Sequence, residues 1–192
     1  MKKTCLVLAS ASPRRRQILK DAGIPFRVAV SGADETVSGD VSPEEKVRLL
    51  SERKARAVVP SLAEGEVVLA ADTVVALDNT ILEKPGNPEK AAEMLRLLSG
   101  RSHRVLTGIT LSDGKKTVSD VVITTVSMRP LDEDEILRYV ATGSPLDKAG
   151  AYGIQEHAGL FVSSFEGDYF NIVGLPLYRT GEILKHEFNF KF

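Results

Sequence analysis

The run Val67-Val-Leu-Ala-Ala-Asp-Thr-Val-Val-Ala-Leu77 constrains this chain more than any other stretch, because only Asp72 and Thr73 interrupt it. An apolar segment this continuous is the pattern of a strand buried on both faces. Such a strand needs helices above and below its sheet. A carboxylate inside it faces a large desolvation cost unless it is paired or bound to a metal. Asp72 therefore either caps a neighbouring loop or does chemistry, and ligand clefts in α/β proteins open at the ends of central strands.

The second informative stretch is Leu6-Val-Leu-Ala-Ser-Ala-Ser-Pro-Arg-Arg-Arg-Gln-Ile-Leu19. It reads as a short buried strand, a Ser/Pro turn and a helix. Ser12 suits the N-cap and Pro13 the first helical position. Arg14, Arg15 and Arg16 then lie where the helix dipole is positive, which disfavours each by roughly 0.3–1 kcal/mol. Cations gathered there point to a bound anion, which free amides and guanidinium groups would share. A solvated basic turn or a surface salt-bridge cluster is the alternative.

Further along, the spacing predicts a strand over Phe26–Val30 and a polar loop over Gly32–Val41 that carries Asp34 and Glu35. Ser42-Pro-Glu-Glu45 is a capping box opening a helix to about Val59. Asp78-Asn79 turns the long strand back into Thr80–Leu82. Asn87-Pro88 opens a helix with an Ala91, Met94, Leu95 and Leu98 stripe. Val105–Leu111 and Thr117–Met128 form a hairpin about Asp113-Gly114. Asp132 starts a helix that stops by Gly143, with Leu131 and Ile136 at staple spacing. Phe161–Phe165 and Tyr169–Val173 are predicted as a second hairpin, and Pro176 starts a last helix to about Lys185. Helices mixed with parallel units and hairpins imply an α/β fold with a mixed sheet.

At 192 residues the chain is expected to form a single domain over 1–192, or two lobes sharing a core. A formal net charge of −1 gives no global field toward nucleic acid or an anionic membrane, and no basic stretch interleaves with aromatics. Cys5 is the single cysteine, which excludes internal disulfides and Cys-rich zinc sites and suits a reducing cytoplasm. No apolar run approaches transmembrane length. Lys2-Lys3 followed by Cys5–Ala9 imitates a signal peptide, but the apolar run is too short and arginines follow at once. A first strand is the better reading.

Other residues carry weaker chemical signals. Lys54 shares a helical face with Val47, Leu50 and Val58, so it either snorkels outward or reaches a partner. Lys84, in Glu-Lys-Pro-Gly, has the same ambiguity. Asp147-Lys-Ala-Gly-Ala-Tyr-Gly-Ile-Gln155 either is an ordinary glycine-rich connection or lets backbone approach a ligand, with Gln155 able to read a planar heterocycle. His103, at the mouth of a strand, is expected to be structural, and His157 and His186 show no zinc spacing.

Taken together, the motifs resemble the Maf family of nucleotide pyrophosphatases. They are Leu8-Ala-Ser-Ala-Ser-Pro-Arg-Arg15, Ala71-Asp-Thr73, Lys84-Pro85, Gly100-Arg-Ser-His-Arg-Val105 with Thr107-Gly108, Asp147–Gln155 and Asn171-Ile-Val-Gly-Leu-Pro176. Their order and coverage of nearly the whole chain make the resemblance specific. It implies a mixed twisted sheet with flanking helices, in two lobes around a central cleft, related to inosine-triphosphate pyrophosphatases. It also implies hydrolysis of a nucleoside triphosphate to the monophosphate and pyrophosphate with a divalent cation, Mg2+ or Mn2+. Asp72 matches the family's catalytic acid/base position. Arg14, Thr73 and Gln155 match the branch acting on dTTP and UTP, whereas the branch acting on 7-methyl-GTP has an aromatic, a glutamine and a glutamate there. Members often form homodimers, a state that no residue of this chain derives.

The chemistry agrees with the resemblance. A carboxamide at Gln155 pairs with the imide edge of uracil or thymine, modified pyrimidines included, whereas a glutamate would favour a cationic base. Ser10, Ser12, Arg15, Lys54 and Lys84 are the expected phosphate-binding residues, and Glu35 is expected to join Asp72 in holding the metal. A non-catalytic nucleotide-binding regulator of cell division is the rival from another class, and a purine-type pyrophosphatase the rival within the class. A pure anion binder, however, gains nothing from a carboxylate at Asp72.

Overall fold

Parallel pairing organises the start of the chain in the computed structural model, which describes Cys5–Phe192. Strand β1 (Cys5–Leu8) pairs parallel with both β2 (Phe26–Val28) and β3 (Glu66–Leu77), and Leu6 lies opposite Phe26 and Val67. Strand β4 (Thr80–Leu82) returns antiparallel on β3. Strands β5 (Ser102–Ser112) and β6 (Thr117–Met128) follow, and β7 (Val162–Glu166) pairs antiparallel with β6. Among the described residues the sheet has seven strands, in the order β2-β1-β3-β5-β6-β7 with β4 on β3. The expected α/β class with a mixed sheet is therefore met. Lys2 and Lys3 lie outside the described residues, and Cys5–Leu8 is the strand the sequence favours.

The chain divides into two compact units, and β3, β5 and β6 contribute residues to both. The first comprises the chain up to Asp72, Thr107–Val122 and Gly174–Phe192. Here helix α1 (Pro13–Asp21) starts on the Ser12 cap and buries Ile18 and Leu19. Helix α2 (Pro43–Val58) starts on Ser42, whose hydroxyl accepts from the Glu45 amide at 3.1 Å. Its buried face carries Val47, Leu50, Ser51, Lys54, Ala55 and Val58.

Ala55 and Val58 cluster with Val7, Ala9, Val68 and Ala70. Strand side chains alternate, so Asp72 continues the row of Val68 and Ala70 while Lys54 lies one turn from Val58. The seating of α2 on β5 depends on Gly108. A Cβ at that position would lie 2.3 Å from the Val47 carbonyl oxygen and 2.5 Å from its carbon. Ser51 and Thr110 share a buried hydroxyl hydrogen bond of 2.8 Å across the same contact.

The second unit comprises Thr73–Leu106 and Ile123–Val173. Its core gathers Val75, Leu77 and Leu82 with Ala91, Leu95 and Leu98 of helix α3 (Pro88–Leu98) and Ile136, Tyr139 and Val140 of helix α4 (Glu133–Ala141). Asp132 and Glu135 close a reciprocal capping box at the start of α4.

The structure corrects several boundaries. Tyr169–Val173 is helix α5, not a strand. The Asp168 carboxylate accepts from the amides of Phe170 at 2.8 Å and Asn171 at 3.3 Å, satisfying donors that a helical first turn leaves open. Strand β2 ends at Val28 rather than Val30, although the Ala29 amide still bonds to Leu8. Helix α6 (Leu177–Phe188) runs past Lys185, with Pro176 as its cap rather than its first residue. Strand β5 begins at Ser102, so His103 lies within it and is buried.

Candidate active site

In the first unit, α2 and β3 bring Lys54 and Asp72 together. The Lys54 ammonium donates to Asp72 Oδ1 at 2.7 Å and lies 3.2 Å from Glu35 Oε1. Both Lys54 and Asp72 are buried, whereas the Glu35 side chain is 63% exposed, on the loop between β2 and α2. The lysine left open between snorkelling and pairing takes the pairing. Asp72 gains a charged partner that offsets its desolvation.

Beside this pair, the arginine-rich turn separates into three roles. Arg15 Nε donates to the Gly174 carbonyl at 2.7 Å, and Nη1 donates to Ser10 Oγ at 3.1 Å. Ser10 is buried and also accepts from the Ser12 amide at 3.2 Å. Ser12 Oγ in turn caps α1 at the Arg15 amide, 3.5 Å away. Burial holds the Arg15 guanidinium below its ordinary range; the Asp72 carboxylate opposes this most, Arg14 reinforces it, and Glu35 opposes it more weakly. Arginine stays a cation under such shifts. Arg14 is half-buried and Arg16 is exposed. Ser10, Ser12, Arg15, Glu35, Lys54 and Asp72 thus belong to one unit, with fixed cations next to a buried carboxylate.

These residues also fit a divalent cation. The carboxylates of Asp72 and Glu35 converge on one ammonium, a cation held between two acidic oxygens. No cluster of three or more His, Cys, Asp or Glu that would enclose a metal is present among the described residues. Two carboxylates completed by water and substrate phosphate are the usual donor set for Mg2+, whereas an all-protein cage is not.

The remaining expected site residues lie in the second unit. Thr73 is half-buried on β3, Lys84 is exposed after β4, and Gln155 is exposed on a turn. The segments carrying Lys84 and Gln155 are tied together. The Gly150 amide bonds to the Glu83 carbonyl at 3.4 Å, and the Gly86 amide to the Leu146 carbonyl at 3.3 Å.

Lys148 and the contacts of His103 and Asn171 go beyond what the sequence signals, although His103 is structural as expected. Lys148 is buried, and nothing in its charged, glycine-rich surroundings signals that. His103 Nε2 shares a 2.7 Å hydrogen bond with the Tyr152 hydroxyl, and burial pushes its pKa down from 6.5 to about 4. Asn171, noted only as part of a motif, is buried. Its Nδ2 donates to the Val105 carbonyl and to Thr124 Oγ1, each at 3.0 Å.

Among solved structures, the Staphylococcus aureus Ham1 protein matches with a TM-score of 0.55 at 14% identity, over 95% of this chain and 99% of that one. The fold is thus of the Ham1 class, here with a lysine-paired carboxylate on a central strand. The Maf-like protein family model matches residues 5–187, and the chain belongs to that family. A relative from Alkaliphilus oremlandii, described as a dTTP/UTP pyrophosphatase, is 46% identical over 96% of each chain. Relatives with the same description from Geobacillus sp. (50% identical, 91% of this chain and 94% of that one) and Salmonella typhimurium (46% identical, 95% and 93%) agree.

Proposed function

We propose that this chain hydrolyses dTTP and UTP at the α–β phosphoanhydride, releasing pyrophosphate and the nucleoside monophosphate. The buried Lys54–Asp72 pair with Glu35 beside it carries the reading, because a protein that only bound anions would gain nothing from a desolvated carboxylate next to its cations. The description shared by the relatives supports the substrate class.

In this reading the triphosphate brings its charge to Arg15, Lys54 and Lys84, with Ser10 and Ser12 completing the phosphate contacts. Arg15 is already held by Gly174 and Ser10, so little ordering remains when phosphate arrives. Lys54 exchanges its contact with Asp72 for phosphate oxygen, which leaves a carboxylate oxygen able to take a proton. Asp72 accepts that proton from the attacking water. The new oxygen–phosphorus bond forms at the α-phosphorus as the bond to the bridging oxygen breaks, and pyrophosphate leaves with that electron pair. A divalent cation, Mg2+ or Mn2+, held by Asp72 and Glu35 would supply neutralisation of the phosphate charge. Arg14, Thr73 and Gln155 select the base, Gln155 through its paired amide donor and acceptor.

We place the reaction in the cytoplasm, a reading that the single cysteine supports. Among the described residues no helix is long and apolar enough to cross a membrane. Pyrophosphate release measured across a panel of nucleoside triphosphates with Mg2+ tests the assignment. Preference for dTTP and UTP, abolished by chelation, is expected. Preference for a purine or for 7-methyl-GTP overturns the role of Gln155, and binding without release overturns the enzyme.

A further inference from the structure

The proposed mechanism leaves one buried charge without a task. Lys148 is 6% exposed, at the end of the single helical turn Ser144–Asp147. Its ammonium donates to the Ser144 carbonyl at 2.6 Å and to Asp147 Oδ1 at 3.0 Å, and lies 3.3 Å from Glu156 Oε1. The other Glu156 oxygen accepts from the Ser144 hydroxyl. A buried ammonium is costly, and one supplied with this many acceptors is built into a structure for a reason.

The arrangement brackets Gln155 along the chain. The turn Gly153-Ile-Gln-Glu156 is closed by the Glu156 amide on the Gly153 carbonyl at 3.0 Å. Lys148 engages both ends of that turn. At the first end its stem lies across Gly153, where an added Cβ would sit 2.9 Å from Cε and 3.1 Å from Cδ. At the other end its ammonium pairs with Glu156. Gln155 lies between the two anchors and is itself exposed.

We propose that Lys148 is a positioning residue for base selection, fastening both ends of the turn that presents Gln155. This rests on the reading of Gln155 as the group that pairs with the base. The need for such a fastening follows from the amide itself. A carboxamide offers one donor edge and one acceptor edge. Turned over, it matches cytosine as well as it matches uracil or thymine. Preference for the imide edge therefore depends on the pose from which the amide meets the base, and a fastened turn narrows the poses open to Gln155.

The test measures kcat and KM with dTTP and dCTP for the wild type, Gln155→Ala, Lys148→Met, Glu156→Gln and the double variant Lys148→Met/Gln155→Ala. Methionine keeps the stem over Gly153 and removes the charge. Gln155→Ala is expected to lower the dTTP-to-dCTP ratio of kcat/KM about tenfold, the worth of one hydrogen bond. Lys148→Met is expected to lower the ratio about fivefold, mainly through a higher KM for dTTP. Glu156→Gln should do the same more weakly, and it decides the matter if Lys148→Met does not fold. The double variant should discriminate no worse than Gln155→Ala alone, because Lys148 acts through Gln155.

An equal loss on both nucleotides, an unchanged ratio or an additive double variant overturns the positioning role while leaving Gln155 as the reader. An unchanged ratio in Gln155→Ala overturns the reader and the positioning role together.

Discussion

Lys54 in the first unit and Lys148 in the second are both buried, and each faces two carboxylates, yet the two clusters are built differently. The nearer partner of Lys54 is Asp72, whose side chain is 12% exposed on a central strand. Lys148 is met by Asp147 and Glu156, whose side chains are 73% and 43% exposed. In the second cluster water solvates the acids, and the lysine alone bears the cost of burial. In the first, acid and cation are desolvated together, where charges interact more strongly than in water. Burial of the acid, rather than of the lysine, separates the proposed chemical centre from the proposed fastening.

The largest stability effect expected from this comparison is in Lys54→Met. Removing the cation leaves Asp72 buried without it, which costs about 3–5 kcal/mol. Urea denaturation of the two methionine variants side by side gives the answer, and a greater loss in Lys148→Met breaks the contrast.

A second expected effect belongs to the second unit alone. His103 is buried with its pKa at about 4, against 6.5 when unfolded. Between those values the unfolded chain holds the extra proton. Stability is therefore fully present above pH 6.5 and is lost as pH falls toward 4, by about 3 kcal/mol. His103→Gln should flatten that part of the pH–stability curve. A wild-type curve without a slope in this window contradicts the burial of a neutral imidazole.

Gly108→Ala perturbs the contact that seats α2, and with it the first centre. Its Cβ would meet backbone of α2, not the end of a flexible side chain. Overpacking of about 1–3 kcal/mol should appear as a lower Tm. Turnover should fall as well, because the displaced helix carries Lys54. A variant with normal Tm and turnover would mean that the α2–β5 contact does not set the centre. The smallest effect is expected in Lys148→Met, about 1 kcal/mol, because its exposed acids rehydrate.

Much of the first centre is legible in the sequence because simple periodicities govern it. Asp72 stands out against an apolar strand, and the 3.6-residue stripe places Lys54 on the buried face of α2. Their meeting is not legible, since it depends on the seating of α2 over Gly108 on β5. The second unit reads less well. Lys148 lies among short helical turns and glycines that carry no periodicity. Tyr169–Val173 has the aromatic and β-branched composition of a strand, and the Asp168 cap with the buried Asn171 contacts makes it a helix instead. Local propensity gives way there to side-chain hydrogen bonds with partners far away in sequence.

In the proposed reaction Asp72 takes the proton of the attacking water. Asp72→Asn keeps the shape of the side chain and removes its basic oxygen. Pyrophosphate release from dTTP and UTP with Mg2+ should then fall roughly 10²–10⁴-fold in a protein that remains folded. Turnover close to that of the wild type in the folded variant would contradict the claim.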